Sequence, residues 1–193
     1  MKLLDFLVPE AIVTDLHATA KEEAIREIVR SVQDAGHLVG VDTQILTDSF
    51  MKREALASTG FKGFACPHGG HMAVDRPFGT VALSHSGVAF DAADGNPVHI
   101  IVLLFHAPDQ FSGRLVKPGD IYDAFHAIAK LLKDDSRIDR LRQCGTRAEV
   151  VDVLADLDGN FLFEIRPCPH PVLTNRSTRI SMARFSCSGP SSI

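Results

Sequence analysis

Apolar residues recur along the chain with two different spacings, which predicts a fold that contains both helices and strands. From Lys21 to Ala35 the apolar positions lie about 3.6 residues apart, as in an amphipathic helix, and Gly36 follows at the position where helix ends favour glycine. Val98 to Phe105 is instead a nearly continuous apolar run of strand length. Such a run is typical of a central strand that is covered on both faces.

Shorter patterns predict the remaining elements. Strands are predicted at Ala11–Thr14, Phe64–Cys66, Thr80–Ser84 and Val88–Phe90. Thr43 is predicted to cap a helix that runs to about Met51 and directs Ile45, Leu46 and Phe50 inward. Asp120 is predicted to cap a helix through Leu132, and Ser136 to cap one through Cys144. A Thr146–Glu149 capping box is predicted to open a last helix to about Leu157. This order predicts an α/β fold, a three-layer sandwich in which a mixed β-sheet is flanked by helices on both faces.

The character of the chain changes after Asp158. Residues 166–193 contain three prolines near their start, six serines and several arginines, without any periodicity. Such a segment buries too little apolar area to offset about 1–2 kcal/mol per residue of backbone ordering entropy. We therefore expect one domain over residues 1–157 and a poorly ordered C-terminal tail over residues 158–193.

Composition and charge restrict the possible cellular locations and binding partners of the protein. A net charge of −4 and a pI near 6.1 argue against a nucleic-acid surface. No run of 18 apolar residues predicts a membrane span, and the N-terminus lacks the basic and apolar regions of a secretory signal. The four cysteines form no CxxC pair, which is typical of reduced thiols. We expect a cytoplasmic protein without direct membrane insertion.

The strongest candidate for chemistry is the segment Pro67-His68-Gly69-Gly70. Pro67 tends to stop the preceding apolar run at a sheet edge, and the glycines let the backbone turn and leave room beside the imidazole. The two peptide N–H groups after His68 are candidates for a small anion-binding concavity. A neutral imidazole is a competent nucleophile near pH 7. The same four residues also fit an ordinary turn with a solvated imidazole.

A longer pattern around this segment resembles a known family. Arg53-Glu54, Ser58-Thr59-Gly60 and Ala65-Cys66-Pro67-His68-Gly69 follow one another as in the enzyme IIA domains of the bacterial phosphotransferase system, of the fructose, mannitol and nitrogen-regulatory type. The resemblance covers roughly residues 1–157. It implies the enzyme IIA type 2 fold and a histidine phosphocarrier that needs no cofactor.

The resemblance also implies partners and a role for each residue. His68 would accept a phosphoryl group from an HPr-like phosphocarrier protein, and a IIB domain or a regulatory target protein would be next in the pathway. Arg53 would offer a fork of donors to the phosphoryl oxygens, although a surface arginine at a helix end is the plain alternative. Gly69 and Gly70 would supply backbone donors. Ser58 and Thr59 would add hydroxyl donors, or simply form a turn.

Many members of the family carry a second histidine, which this chain lacks at the corresponding position. Ile121 occupies that position, and His126 lies five residues later, about 140° around the helix from it. His126 is therefore expected to be packed or solvated rather than catalytic. His99 and His71 remain as possible auxiliary residues that orient His68.

Two other functions compete with the phosphocarrier. A metal-dependent hydrolase would use His68, His71 and either Asp75 or Asp91, but the segment gives no helical frame for ligands and no metal is expected. A non-catalytic regulatory module of the same fold would act by docking to other proteins. The sequence does not decide between sugar transport and regulation.

Overall fold

A mixed sheet of four strands forms the centre of the computed structural model, which describes residues 2–108 and 121–156. The strands are β1 (Phe64–Ala65), β2 (His68–Gly70), β3 (Phe78–Val88) and β4 (Val98–His106). Both β1 and β2 pair with β4 in parallel, whereas β3 pairs with it antiparallel. The predicted central strand is therefore confirmed.

Helices cover both faces of the sheet. Those in the described ranges are α1 (Lys21–Asp34), α2 (Thr43–Glu54), α3 (Ile121–Leu131), α4 (Asp135–Gln143) and α5 (Arg147–Ala155). Side chains of β4 alternate between the faces, so that Val102 packs in the cluster beneath α3, α4 and α5, while Leu103 packs in the cluster beneath α1 and α2. This is the predicted three-layer α/β arrangement.

The predicted helices are largely confirmed, with shifts at their ends. α1 starts at Lys21 and ends one residue early, and the Thr146–Glu149 capping box opens α5 as predicted. The carboxylate of Asp42, rather than Thr43, caps α2 by accepting a hydrogen bond from the backbone N–H of Gln44. Ile45, predicted to face inward, is 56% exposed.

The end of α2 matters for the site. This helix continues to Glu54 instead of stopping near Met51, so Arg53 lies in its last turn. Leu46 and Phe50 are buried, as predicted, and they fix the helix against the sheet. The extra turn therefore carries the guanidinium towards the edge formed by β2.

Outside β4, the predicted strands agree less well with the observed ones. Ala11–Thr14 is not a strand: a short 3-10 helix spans Pro9–Ala11, and Val13 forms only an isolated bridge to Ala82. The predicted strand Thr80–Ser84 lies within the longer strand β3, which ends at Val88, so the predicted strand Val88–Phe90 contributes only its first residue. The pairing of β3 with β4 is regular from Phe78 to Leu83 and is then irregular up to Val88, which pairs with Val98.

Other predictions fall at or beyond the limits of the described residues. α3 ends at Leu131 rather than Leu132, and its predicted cap Asp120 lies outside the described ranges. Asp134, rather than the predicted Ser136, caps α4 by accepting a hydrogen bond from the backbone N–H of Arg137. The predicted tail, residues 158–193, also lies outside them. No helix that the structure describes is long and apolar enough to cross a membrane.

Candidate active site

His68 is the first residue of the short strand β2. It is in register with Leu104 of β4, and the carbonyl of Pro67 accepts a hydrogen bond from the Leu104 N–H at 3.0 Å. This pairing makes His68-Gly69-Gly70 an edge strand of the sheet. The ordinary turn that the sequence left open as an alternative is thus not formed, and Pro67 stands next to the sheet edge, as predicted.

The imidazole of His68 is held on three sides. Its Nε2 accepts a hydrogen bond from Nε–H of Arg53 at 2.9 Å, and its Nδ1 lies 3.3 Å from the carbonyl oxygen of Cys66. The arginine Nε–H can only donate a hydrogen bond, and the carbonyl oxygen can only accept one. Nδ1 of His68 therefore carries the proton, and Nε2 carries the lone pair. The ring of Phe125 on α3 packs edge-on against His68, with centroids 5.0 Å apart.

Burial keeps this imidazole uncharged near neutral pH. His68 is only 8% exposed, and this burial lowers its pKa from 6.5 to about 4. The hydrogen bond to Cys66 opposes the shift, while the nearby Arg53 and His106 add to it. The lone pair on Nε2 is therefore present at pH 7.

A second hydrogen bond anchors the guanidinium of Arg53. One Nη1–H donates to the carbonyl oxygen of Ala57 at 3.1 Å, so the guanidinium spans from the end of α2 to the ring of His68. A freely solvated arginine would make neither contact. The guanidinium lies where its remaining donors can meet an anion beside Nε2.

The hydroxyls of Ser58 and Thr59 are committed to the loop after α2. Ser58 Oγ donates to the carbonyl oxygen of Phe90 at 3.0 Å, and Thr59 Oγ1 donates to Glu54 Oε1 at 2.7 Å. Each hydroxyl has a single proton, so neither can donate to a phosphate while these bonds persist. These bonds support the alternative role that the sequence left open, in which both hydroxyls shape the loop that carries Ala57.

Gly69 and Gly70 are required for close packing rather than for a turn. A Cβ on Gly69 would lie 2.9 Å from Ser49 Oγ, and one on Gly70 would lie 3.1 Å from Cε1 of His106. Peptide groups alternate in direction along a strand, so the two N–H groups after His68 do not point to the same side. We therefore expect one of these N–H groups, rather than both, to face an anion in the cleft.

The structure does not bring the other predicted histidines to His68. His99 lies five residues before Leu104 along β4, about 17 Å away at strand rise, and its Nδ1 is 2.9 Å from the Ser84 carbonyl. His71 accepts the Ala73 N–H at Nδ1, within its own turn. His126 is exposed on α3, as its helical position predicts.

Sequence reasoning missed His106, which is 5% exposed and closes the far side of the site. Its ring centroid lies 6.2 Å from that of His68, and its Nδ1 lies 2.7 Å from the Ala107 carbonyl oxygen. The only signal in the sequence is its place one residue after the predicted strand Val98–Phe105. Pairing that strand in parallel with the segment at His68 would have found it.

An open cleft of about 430 Å³ gives access to these groups. Its walls are Ser49, Arg53, His68, Gly69, Gly70 and His106. Within residues 2–108 and 121–156, no three His, Cys, Asp or Glu side chains group in a way that would hold a metal ion. The hydrolase set of His68, His71 and Asp75 or Asp91 is therefore not assembled there. The cleft instead presents one imidazole lone pair beside a fixed cation.

Comparison with known proteins identifies the family of this chain. Residues 5–157 match the family model described as phosphoenolpyruvate-dependent sugar phosphotransferase system, EIIA 2. A nitrogen regulatory protein of Bradyrhizobium diazoefficiens is 30% identical over 156 residues, which are 80% of this chain and 95% of that protein. The fructose-specific EIIABC component of Bacillus subtilis is 30% identical over 105 residues, 54% of this chain but 16% of its own length.

Solved structures show the same fold. Nitrogen regulatory protein IIA-Ntr of Neisseria meningitidis superposes with a TM-score of 0.65 at 25% identity, covering 78% of this chain and 97% of that one. IIA mannitol of Escherichia coli gives a TM-score of 0.59 at 22% identity, covering 76% and 97%. The chain belongs to the EIIA 2 family of the phosphoenolpyruvate-dependent sugar phosphotransferase system.

Proposed function

We propose that this protein is a phosphohistidine carrier and that Nε2 of His68 accepts the phosphoryl group from an HPr-like phosphocarrier protein. The observation that carries the proposal is the pairing of a neutral imidazole lone pair with the Arg53 guanidinium inside an open cleft. A buried core histidine would need neither the cation nor the opening.

The tautomer of His68 simplifies the transfer. The N–P bond of the donor phosphohistidine breaks as the bond from His68 Nε2 to phosphorus forms. Nδ1 keeps its proton on the Cys66 carbonyl throughout, so no proton has to leave the ring. The Cys66 carbonyl thus acts as an orienting acceptor, much as second partners fix ring tautomers in other histidine sites.

Arg53 supplies the charge that the transferring group requires. In the resting site its Nε–H is bonded to the Nε2 lone pair, and an arriving phosphoryl group would take over that donor and the free edge of the fork. Phosphoryl transfer has a loose transition state with charge spread over the equatorial oxygens. A positioned guanidinium stabilises such charge without any covalent role.

We assign Gly70 rather than both glycines to phosphate binding. Gly69 lies tightly against Ser49 and Phe50 on the α2 side, whereas Gly70 lies beside the His106 ring in the cleft. Ser58 and Thr59 support the site through the loop that binds Arg53. We propose no metal or other cofactor in the transfer step, because the donor is itself a phosphohistidine.

The next acceptor is proposed from the relatives. The Escherichia coli mannitol enzyme IIA, which shares the fold, has been solved in complex with phosphorylated enzyme IIB. A IIB domain is therefore one proposed acceptor here, and the protein would then act as a phosphotransferase. We further propose that the domain ends near residue 157, where the family match ends, and that the protein works in the cytoplasm.

A regulatory role is the second candidate, and one observation favours it. Two nitrogen regulatory proteins match over 80% and 83% of this chain, whereas the fructose EIIABC component matches over 54% of it. In this role phosphorylation would make the net charge at His68 about one unit more negative, since the ring keeps its Nδ1 proton, and so change which partner protein docks. The two roles share the same first step.

The test is direct labelling. Wild-type protein incubated with a phosphorylated HPr-like carrier should acquire an acid-labile, base-stable label, and His68→Ala should abolish it. His126→Ala is the matched control, because that imidazole is exposed on α3 and should leave labelling intact. Persistence of the label in His68→Ala would overturn the proposal.

A further inference from the structure

A buried carboxylate follows Arg53 directly in the chain, and nothing in the transfer step described above uses it. Glu54 is the last residue of α2 and is only 4% exposed. Moving a carboxylate out of water is costly unless a cation or several hydrogen-bond donors compensate its charge. The structure supplies both kinds of compensation, and each comes from a residue outside the walls of the cleft.

The cation is Lys21, the first residue of α1. Its Nζ lies 3.9 Å from Oε2 of Glu54, and both side chains are almost fully buried. Nζ also lies 2.9 Å from Oδ2 of Asp91, whose side chain is 85% exposed. Water screens a charge pair at the surface far more than a buried pair. Lys21 therefore compensates Glu54 effectively, although this is the longer of its two contacts.

The hydrogen-bond donors come from Thr59, five residues after Glu54. Its Oγ1 donates to Oε1 of Glu54 at 2.7 Å, and its backbone N–H donates to Oε2 at 3.1 Å. These two bonds close the loop that contains Ala57, whose carbonyl oxygen accepts a hydrogen bond from Nη1–H of Arg53. Glu54 therefore holds the loop to which the guanidinium is bonded.

The partners of Arg53 are unexpected beside such a carboxylate. A guanidinium forms its strongest hydrogen bonds with carboxylates, which it meets through two parallel N–H donors. Here it instead contacts two neutral acceptors, His68 Nε2 and the Ala57 carbonyl oxygen. The two opposite charges nevertheless act on one neighbouring group. Burial raises the pKa of the Cys66 thiol to about 12, the charge of Glu54 adds to this rise, and the charge of Arg53 opposes it.

We propose that Lys21 is a positioning residue for phosphoryl transfer. It compensates the charge of Glu54 and so leaves the Arg53 guanidinium beside the nitrogen that accepts the phosphoryl group. The inference rests on the proposed phosphorylation of His68. Lys21 does not line the cleft, so it acts only through the two neighbouring charges. Without Lys21 the carboxylate would draw the guanidinium out of the cleft, because an uncompensated buried charge is strongly unfavourable.

The first test is a double-mutant cycle on the single-turnover rate of phosphoryl transfer from a saturating HPr-like carrier. Lys21→Met keeps the apolar stem and removes the charge, so the rate should fall roughly 10- to 100-fold. Glu54→Gln keeps the shape and removes the competing charge. The double variant should therefore recover most of the loss and transfer at about the rate of Glu54→Gln alone. A double variant that is no faster than Lys21→Met would overturn the inference.

Two control variants distinguish this role from a simple tie between helix and loop. Asp91→Asn removes the exposed partner of Lys21 but leaves the buried pair with Glu54, so the rate should stay close to wild type. Lys52→Met removes an exposed positive charge from α2, the helix that carries Arg53, and should also leave the single-turnover rate unchanged. A loss in Asp91→Asn as large as that in Lys21→Met would show that Lys21 only ties α1 to the loop, and would contradict the inference.

The second test observes the guanidinium itself, in unphosphorylated protein. The 15N–1H signal of Arg53 Nε–H is assigned by its loss in Arg53→Lys, and in wild type it reports the hydrogen bond to His68. In folded Lys21→Met this signal should shift, and so should the 15N signal of His68 Nε2. Both should return towards their wild-type positions when Glu54→Gln is added. Unmoved signals in Lys21→Met would refute the role, because a salt bridge that only stabilises the fold leaves the guanidinium in place.

The outcomes separate this inference from the function on which it rests. Wild-type protein that acquires no label on His68 would remove the proposed function, whereas the NMR comparison needs no phosphorylation and still tests whether Lys21 holds Arg53 in place. Normal labelling with equal rates in wild type and Lys21→Met would overturn only the role of Lys21. Thermal melts show which variants fold. If Lys21→Met does not fold, the double variant and Asp91→Asn decide, because each should keep the Arg53 signal near its wild-type position and a displaced signal in either overturns the inference.

Discussion

Acidification should destabilise this domain, because the folded protein keeps His68 neutral under conditions in which an unfolded chain would protonate it. The pKa of His68 is about 4 when folded, against an ordinary value of 6.5. Between these values the unfolded state binds more protons, so the free energy of unfolding falls as the pH falls through that window. At about 1.36 kcal/mol per pKa unit the full effect approaches 3 kcal/mol near pH 4.

Part of the ring faces the open cleft, and solvent there reduces the effect, so we expect about 2 kcal/mol. That loss is a substantial fraction of the roughly 5–15 kcal/mol that stabilises a typical domain. Burial also lowers the pKa of His106, which adds a loss of the same sign. Substitution of His68 alone therefore removes only its own share of the pH dependence.

The assay is urea unfolding of wild type and His68→Asn at several values from about pH 7.5 to 4.5. Asn does not titrate, so the stability of wild type relative to the variant should fall by about 2 kcal/mol on acidification. His126→Asn, a change at an exposed position on α3, should follow the wild-type curve. If the wild-type and His68→Asn curves run parallel, His68 is not held neutral by burial and the reasoning is wrong.

Further predictions separate the groups that act on the phosphoryl group from those that hold the site. Arg53→Lys keeps the charge but loses the fork, so the transfer rate should fall roughly 10- to 100-fold with a nearly normal melt; an unchanged rate would leave Arg53 without a catalytic role. Thr59→Val removes a hydrogen-bond donor from the buried Glu54 carboxylate, so the free energy of unfolding should fall by about 1–3 kcal/mol while phosphoryl transfer is largely retained. A loss of transfer with a normal melt would show instead that Thr59 acts on the phosphoryl group. A chelator should leave phosphoryl transfer from the carrier unchanged, and inhibition that added metal reverses would favour a metal-dependent reaction.

Much of the fold is predictable because its signals are local. The helical spacing of α1, the capping box of α5 and the apolar run of β4 each fix an element without knowledge of the rest of the chain. β2 could not be found this way, because three residues that include two glycines have little strand preference of their own. Only pairing with β4 makes them a strand.

The site residues show the same contrast between local and long-range signals. His68 and Arg53 are recognisable from short motifs, and the structure brings them to 2.9 Å. The proximity of His106 to His68 depends on the register between β2 and β4, which is a property of long-range pairing. The hydroxyl of Thr59 is likewise a plausible phosphate donor in the sequence, until folding places the Glu54 carboxylate beside it.

The central claim is that His68 receives the phosphoryl group on the nitrogen that the Cys66 carbonyl leaves unprotonated. Protein with 15N-labelled histidine, phosphorylated by its carrier and observed by 15N and 31P NMR, reports which ring nitrogen is bonded to phosphorus. The account predicts a single phosphorylated nitrogen, Nε2 of His68, with Nδ1 still protonated. Phosphorus on Nδ1 of His68, or on any other histidine, would contradict it.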